Sequence, residues 1–170
     1  MAKLEIEIGE LIREYQAKAG KLLTIGTVES ATGGRIADSI TNVPGSSDYF
    51  KGSIVSYSNE AKIEVVGVKE ETIENYGAVS PQTAIKMAQG GRKLLNVDVC
   101  ISDTGIAGPS GGSPEKPVGL FYIGLASGDE SLTQKHVFSE NREENKRDAT
   151  EVALNILKQY LLQCISKSEK

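Results

Sequence analysis

The chain has 170 residues, 39% of them hydrophobic and 25% charged, with a formal net charge of −4. This composition suits one domain, residues 1–170, with room for a core. No Lys/Arg run stands out and no apolar run approaches the ~20 residues of a membrane span, which argues against nucleic-acid and membrane partners. The amino-terminal stretch "MAKLEIEIGELIREY" has no apolar signal core, so the expected location is cytoplasmic. Cys100 and Cys164 lie far apart in apolar settings and read as buried thiols, not a disulfide or a metal pair.

In chain order, Leu4, Ile8, Leu11, Ile12 and Tyr15 share one helical face, with Gly20 as a stop. "KLLTIGTV" is a short buried strand. "ESATGGRIADSI" turns into a helix, and "GSIVSYS" is a second strand. "NEAKIEVVGV" and "KEETIENYG" are short helical pieces. "SPQTAIKMAQGGRKLLN" starts a helix with Ser80 at the cap and Pro81 at its first position. "VDVCISDTGIAGPSGGSPEKPVG" is a buried strand opening into a Gly/Pro/Ser loop, and "LFYIGLAS" pairs antiparallel with "LTQKHVFSE" across "GDES". From Arg147 onward, Ala149, Val152, Ala153, Ile156, Leu157, Tyr160, Leu161 and Cys164 mark a closing amphipathic helix. The alternation points to a three-layer α/β domain with a mixed sheet.

Ligands of open α/β sheets bind beyond the carboxyl ends of strands. Three loops rich in small polar residues are candidates: "ESATGG", "SDTGIAGPSGG" and "NVPGSSDYF". The first reads either as a plain turn in which Thr32 caps a helix, or as an anion cradle built on Thr32, Gly33 and Gly34. Its spacing fits neither a P-loop nor a dinucleotide fingerprint. In the second loop, Asp103 and Thr104 suit an Asx or ST turn, and Thr104, next to Gly105, is also a possible donor to substrate. The lone His136, without a second histidine or a carboxylate at ligand spacing, reads as structural or surface; no metal site is expected. "VPGSSDYFKGSIVSYSNEAK" poses a choice. Either Ser46 and Ser47 form a turn and Lys62 is solvated, or Ser47 is a nucleophile whose proton passes to a Lys62 of lowered pKa, with Tyr57 as relay.

Taken together and in order, "ESATGG", "VPGSSDYFKGSIVSYSNEAK", "GAVSPQTA", "SDTGIAGPSGGSPEKPVG" and the late Arg142 resemble the C-terminal domain of CinA proteins and its stand-alone relatives, the nicotinamide-nucleotide amidases. The resemblance runs from about Leu4 to Leu162. It implies a three-layer α/β/α sandwich with a mixed, mostly parallel sheet. It implies a cofactor- and metal-independent amidohydrolase that converts nicotinamide mononucleotide (NMN) to nicotinic acid mononucleotide and ammonia. By position in the motif it assigns Ser47 as nucleophile and Lys62 with Tyr57 as the base system. Ser30, Thr104 and Arg142 match further polar positions, and Arg142 with the "TGG" turn is the candidate phosphate site. The partners it implies are a small nucleotide substrate and a second copy of the chain, as a homodimer. Ala31 stands where the family often has Cys, and "ENR" (140–142) where it often has "GDR". The nucleotide-processing domain of full-length CinA is missing from the sequence, so a stand-alone form is expected. The rival reading is a non-catalytic nucleotide-binding module related to the competence proteins.

Overall fold

A computed structural model describes residues 3–170; Met1 and Ala2, part of the amino-terminal stretch read above, lie outside them. Five strands form one sheet in the order β2-β1-β3-β4-β5. They are β1 (Ile25–Glu29), β2 (Phe50–Val55), β3 (Val99–Gly105), β4 (Leu120–Ala126) and β5 (Ser131–Val137). β1 pairs parallel with both β2 and β3, while β4 is antiparallel to β3 and β5. Only β4 therefore runs against the other four, and the sheet is mixed with a parallel core.

Helices cover both faces, which makes the α/β/α sandwich. On one face lie α1 (Leu4–Ala19), α2 (Arg35–Thr41) and α6 (Arg142–Ser168). On the other lies α5 (Pro81–Leu95), with α4 (Glu70–Tyr76) packed against it; α3 (Asn59–Glu64) follows β2. Strand alternation sorts the side chains. Ile25, Val99 and Ile101 join Ile8, Ile12, Ile36 and Leu157 in the larger core on the α1/α6 side. Val28 and Cys100 point the other way, to Met87, Val66, Val68 and Val97. Thr27 and Glu29, one and two pleats on from Ile25, share its face. At Gly91, α5 lies so close to the sheet that a Cβ would sit 2.1 Å from a Val28 methyl. A larger residue there would push α5 off β1.

The capping signals act as expected. The Ser80 hydroxyl accepts the Thr83 N–H, Pro81 opens α5, and Gly20 ends α1 with a left-handed φ of 70°. The closing helix begins earlier than its apolar stripe, at Arg142 and not Arg147, because the Asn141 side chain caps it and its first turns are charged. β1 and β2 are shifted from their expected bounds, and β2 starts at Phe50. Cys100 is buried, which pushes its thiol up to about 12; Cys164 is half-buried, and both are free thiols. Among the described residues, no helix is long and apolar enough to cross a membrane.

Candidate active site

The parallel strands β1, β2 and β3 end on the same side of the sheet. β1 delivers Glu29 and then Ser30; β3 delivers Asp103 to Gly105; β2 delivers Ser56 and Tyr57 and passes into α3. The Ser58 hydroxyl caps α3 by accepting the Ala61 N–H at 3.0 Å. That cap turns the chain back, so Lys62 points under the strand ends.

Lys62 is 2% exposed. Its Nζ lies 2.9 Å from Ser30 Oγ, 3.0 Å from the Ser56 carbonyl and 3.3 Å from the Tyr57 carbonyl. A neutral amine has two hydrogens and one lone pair. Two carbonyls to receive the hydrogens and one hydroxyl to share the lone pair match that inventory. Burial drives the lysine pKa below its ordinary value, and the nearby Asp103 carboxylate pulls the other way. No carboxylate forms an ion pair with Lys62 among the described residues.

Ser47 does not take part in this arrangement. It is exposed in a 3-10 turn (Ser46–Asp48) before β2, and its carbonyl accepts from the Lys51 side chain. Lys62 follows the other end of β2. Six strand residues at ~3.3 Å each put the two on opposite ends of the sheet. The hydroxyl that meets Lys62 belongs to Ser30, and this corrects the assignment of Ser47 as its partner.

The turn after β1 is held from inside. Glu29 is fully buried, and its carboxylate accepts the N–H groups of Gly34 at 3.1 Å, Ile36 at 2.9 Å and Ala37 at 2.9 Å. Asp103, also fully buried, accepts the N–H of Ser30 at 2.9 Å and of Thr32 at 3.1 Å. The Gly33 N–H bonds the Ser30 carbonyl. The expected anion cradle at Thr32, Gly33 and Gly34 therefore has no free donors: the carboxyls of Asp103 and Glu29 and the Ser30 carbonyl occupy them. Thr32 does not cap α2, because its hydroxyl lies 2.7 Å from Glu29 and also contacts Asp103. Ala31 alone in the turn keeps an N–H without an internal partner among the described residues. Thr104 is likewise committed, its hydroxyl donating to the Ala78 carbonyl at 2.7 Å, so it has no proton to offer a substrate.

Above Ser30 opens a cleft of about 290 Å³ lined by Ser30, Ala31, Tyr57, Gly105, Gly108 and Arg142. Tyr57 is 61% exposed. Its hydroxyl makes no hydrogen bond to Lys62 and instead accepts from Arg142 Nη2 at 3.0 Å. Arg142 Nη1 donates to the Gly108 carbonyl at 2.8 Å, so Arg142 ties the β2 end to the loop after β3. Larger clefts lie elsewhere, about 480 Å³ beside Tyr160 and Asp98 and about 470 Å³ beside Arg35 and Leu154, but neither contains a buried amine. His136, on β5, stacks on Phe138 just beyond the strand, and neither lines the cleft.

The family model of the CinA C-terminal domain matches residues 7–161. The chain belongs to that family. It is 45% identical over 160 residues to a CinA-like protein of Sulfurihydrogenibium sp. (strain YO3AOP1), covering 94% of this chain and 38% of that protein. It is 46% identical over 162 residues to a CinA-like protein of Chloroherpeton thalassium (strain ATCC 35110 / GB-78), covering 93% and 37%. The CinA-type domain thus spans less than two fifths of these curated relatives. The crystal structure of competence/damage inducible protein CihA from Agrobacterium tumefaciens superposes with a TM-score of 0.84 at 35% identity, covering 92% of this chain and 94% of that one.

Sequence reasoning brought Lys62, Tyr57, Ser30, Gly105 and Arg142 to the site but gave Ser30 a lesser role. It missed Glu29, read Asp103 only as a turn residue, and did not single out the Ala31 amide. The direction of the chain was the available signal: "NVPGSSDYF" leads into a strand, whereas Ser30 follows one.

Proposed function

We propose that this CinA-family chain is a serine amidohydrolase that cleaves the carboxamide of NMN, releasing ammonia. The observation that carries the reading is the buried Lys62 amine against Ser30 Oγ at the floor of the cleft. NMN itself comes from the resemblance to nicotinamide-nucleotide amidases.

In this reading Ser30 Oγ attacks the amide carbon and its proton passes to neutral Lys62 Nζ. The oxyanion that forms needs a fixed donor, and the Ala31 N–H, next to the nucleophile and unpartnered, is placed to supply one. The C–N bond then breaks, Lys62 returns the proton to the leaving nitrogen, and ammonia departs. Water attacks the acyl-serine ester, giving its proton to Lys62. The ester C–O bond breaks and the proton goes back to Ser30. Tyr57, whose hydroxyl accepts from Arg142, keeps its own proton to orient the substrate. Arg142 has donors to spare beyond Gly108 and Tyr57, which suits it to the ligand phosphate now that the "TGG" turn is occupied.

Ammonia release from NMN, nicotinamide riboside and free nicotinamide by the purified chain tests this. NMN should turn over fastest. No release from NMN with a correctly folded chain, together with binding of a nucleotide, would instead support the non-catalytic module.

A further inference from the structure

The mechanism leaves two wholly buried carboxyls, Glu29 and Asp103, without an assigned charge. The Thr32 hydroxyl stands between them, 2.7 Å from Glu29 Oε1 and in contact with Asp103 Oδ1. A hydroxyl carries one hydrogen. It can donate to only one carboxyl oxygen, and two ionised carboxylates would leave the other contact as lone pair against lone pair. A second hydrogen must therefore sit on one of the acids. Glu29 receives three backbone N–H groups and is fully satisfied as an anion. Asp103 receives two, and among the described residues no cation bonds it.

We propose that Asp103 is protonated in the resting site, donates to Thr32, which donates on to Glu29, and by staying neutral lets the neighbouring Lys62 stay neutral as well. Asp103 is then a positioning residue: it fixes the Ser30 amide and sets the charge state of the base, without touching substrate. The proposal rests on the reading of Lys62 as general base.

The surroundings push in the same direction. Burial, with the negative Glu29 adding to it, pushes the Asp103 carboxyl up to about 6. The charged groups around it are Glu29 from β1 and Lys62 from α3, with the Lys146 amine of α6 near the turn at Gly33; β4 opposes it with neutral Ile123. An ionised Asp103 would favour the Lys62 ammonium and remove the base. With one proton between the pair, neutral acid with neutral amine is the active arrangement; carboxylate with ammonium is the inactive one.

Two measurements separate these. In carbon-13 NMR of carboxyl-labelled protein, with Asp103→Asn used to assign the signal, Asp103 should still be protonated at the pH of maximal turnover, far above the ~3.9 of a free Asp. A signal already ionised there overturns the proposal whatever Lys62 does. The second is the pH dependence of kcat/KM in Asp103→Asn. If Asp103 is already neutral in the wild type, the acid limb should stay within a few tenths of a pH unit, even if the height of the profile falls. A limb displaced to lower pH by a unit or more means the wild-type Asp103 was charged, and the proposal is wrong. Should Asp103→Asn fail to fold, Thr32→Ser and Thr32→Val replace it in the second measurement. Serine keeps the relay and should keep the wild-type limb, while valine should move it. Equal limbs in both would overturn the relay. Failure of the base reading would appear separately, as turnover that survives in Lys62→Met.

Discussion

Replacing Lys62 by Met removes the amine and keeps the length and apolar stem of the side chain. Three hydrogen bonds disappear, to Ser30 Oγ, Ser56 O and Tyr57 O. At ~1 kcal/mol net each they represent about 3 kcal/mol. Against this, an amine that was 2% exposed no longer has to be desolvated, a gain of the same order. The two nearly cancel, leaving about 1 kcal/mol, or roughly 2–4 °C in Tm for a domain of this size. Activity has no such compensation. A positioned general base contributes roughly 10²–10⁴-fold, so ammonia release from NMN should fall by at least about 100-fold in a protein that still unfolds cooperatively. Ser30→Ala should fall at least as far, and the double variant little further, because nucleophile and base act as one unit. Exposed Ser47→Ala should stay within about 2-fold of wild type, as surface changes usually do. The assay is coupled ammonia release alongside thermal unfolding. An inactive Ser47→Ala beside an active Ser30→Ala, or near-normal turnover in Lys62→Met, would refute the reasoning.

The other expectations follow from the same geometry. The rate should rise with pH through the depressed pKa of Lys62 and level off well before the ordinary lysine value of 10.5, since the base works only when neutral; a rise that continues to that value would place the base in solvent. Glu29→Gln turns an N–H against at least one of three backbone donors and drops the charge, so roughly 3 kcal/mol and about 10 °C of Tm should be lost by calorimetry; a change under about 2 °C contradicts the interlock. Arg142→Ala should reduce the preference for NMN over nicotinamide riboside by about 10- to 100-fold, the worth of one charge-assisted contact, and an unchanged ratio would move the phosphate elsewhere.

Much of the architecture was legible because it depends on local signals. Ser80-Pro81 and Gly20 mark helix ends by backbone chemistry alone. The apolar run of β1 and the paired runs of β4 and β5 reflect burial. The start of α6 was hidden because Asn141 and the charged turn after it carry no apolar stripe. The site was legible in composition but not in its pairing. Which serine meets Lys62 depends on which ends of parallel strands coincide, and that is tertiary. The glycine turn looked like an empty anion site because its donors are adjacent in sequence. The carboxyl of Asp103 that partly fills it comes from 71 to 73 residues away, and that of Glu29 arrives by curling back over its own turn.

The pleat of β1 also limits how this gene can change. Glu29 and Ser30 are neighbours whose side chains serve opposite sides of the sheet, one gripping α2, the other meeting Lys62. Deleting or inserting a single residue in 25–30 would exchange those roles: the carboxylate would come to lie beside the lysine, and the hydroxyl would face amides that need an anion. The amine would then be held charged by a salt bridge. Length variation should therefore be absent from this strand in active homologues and collect in stretches such as 111–117, where exposed chain can be lengthened without changing which side anything faces.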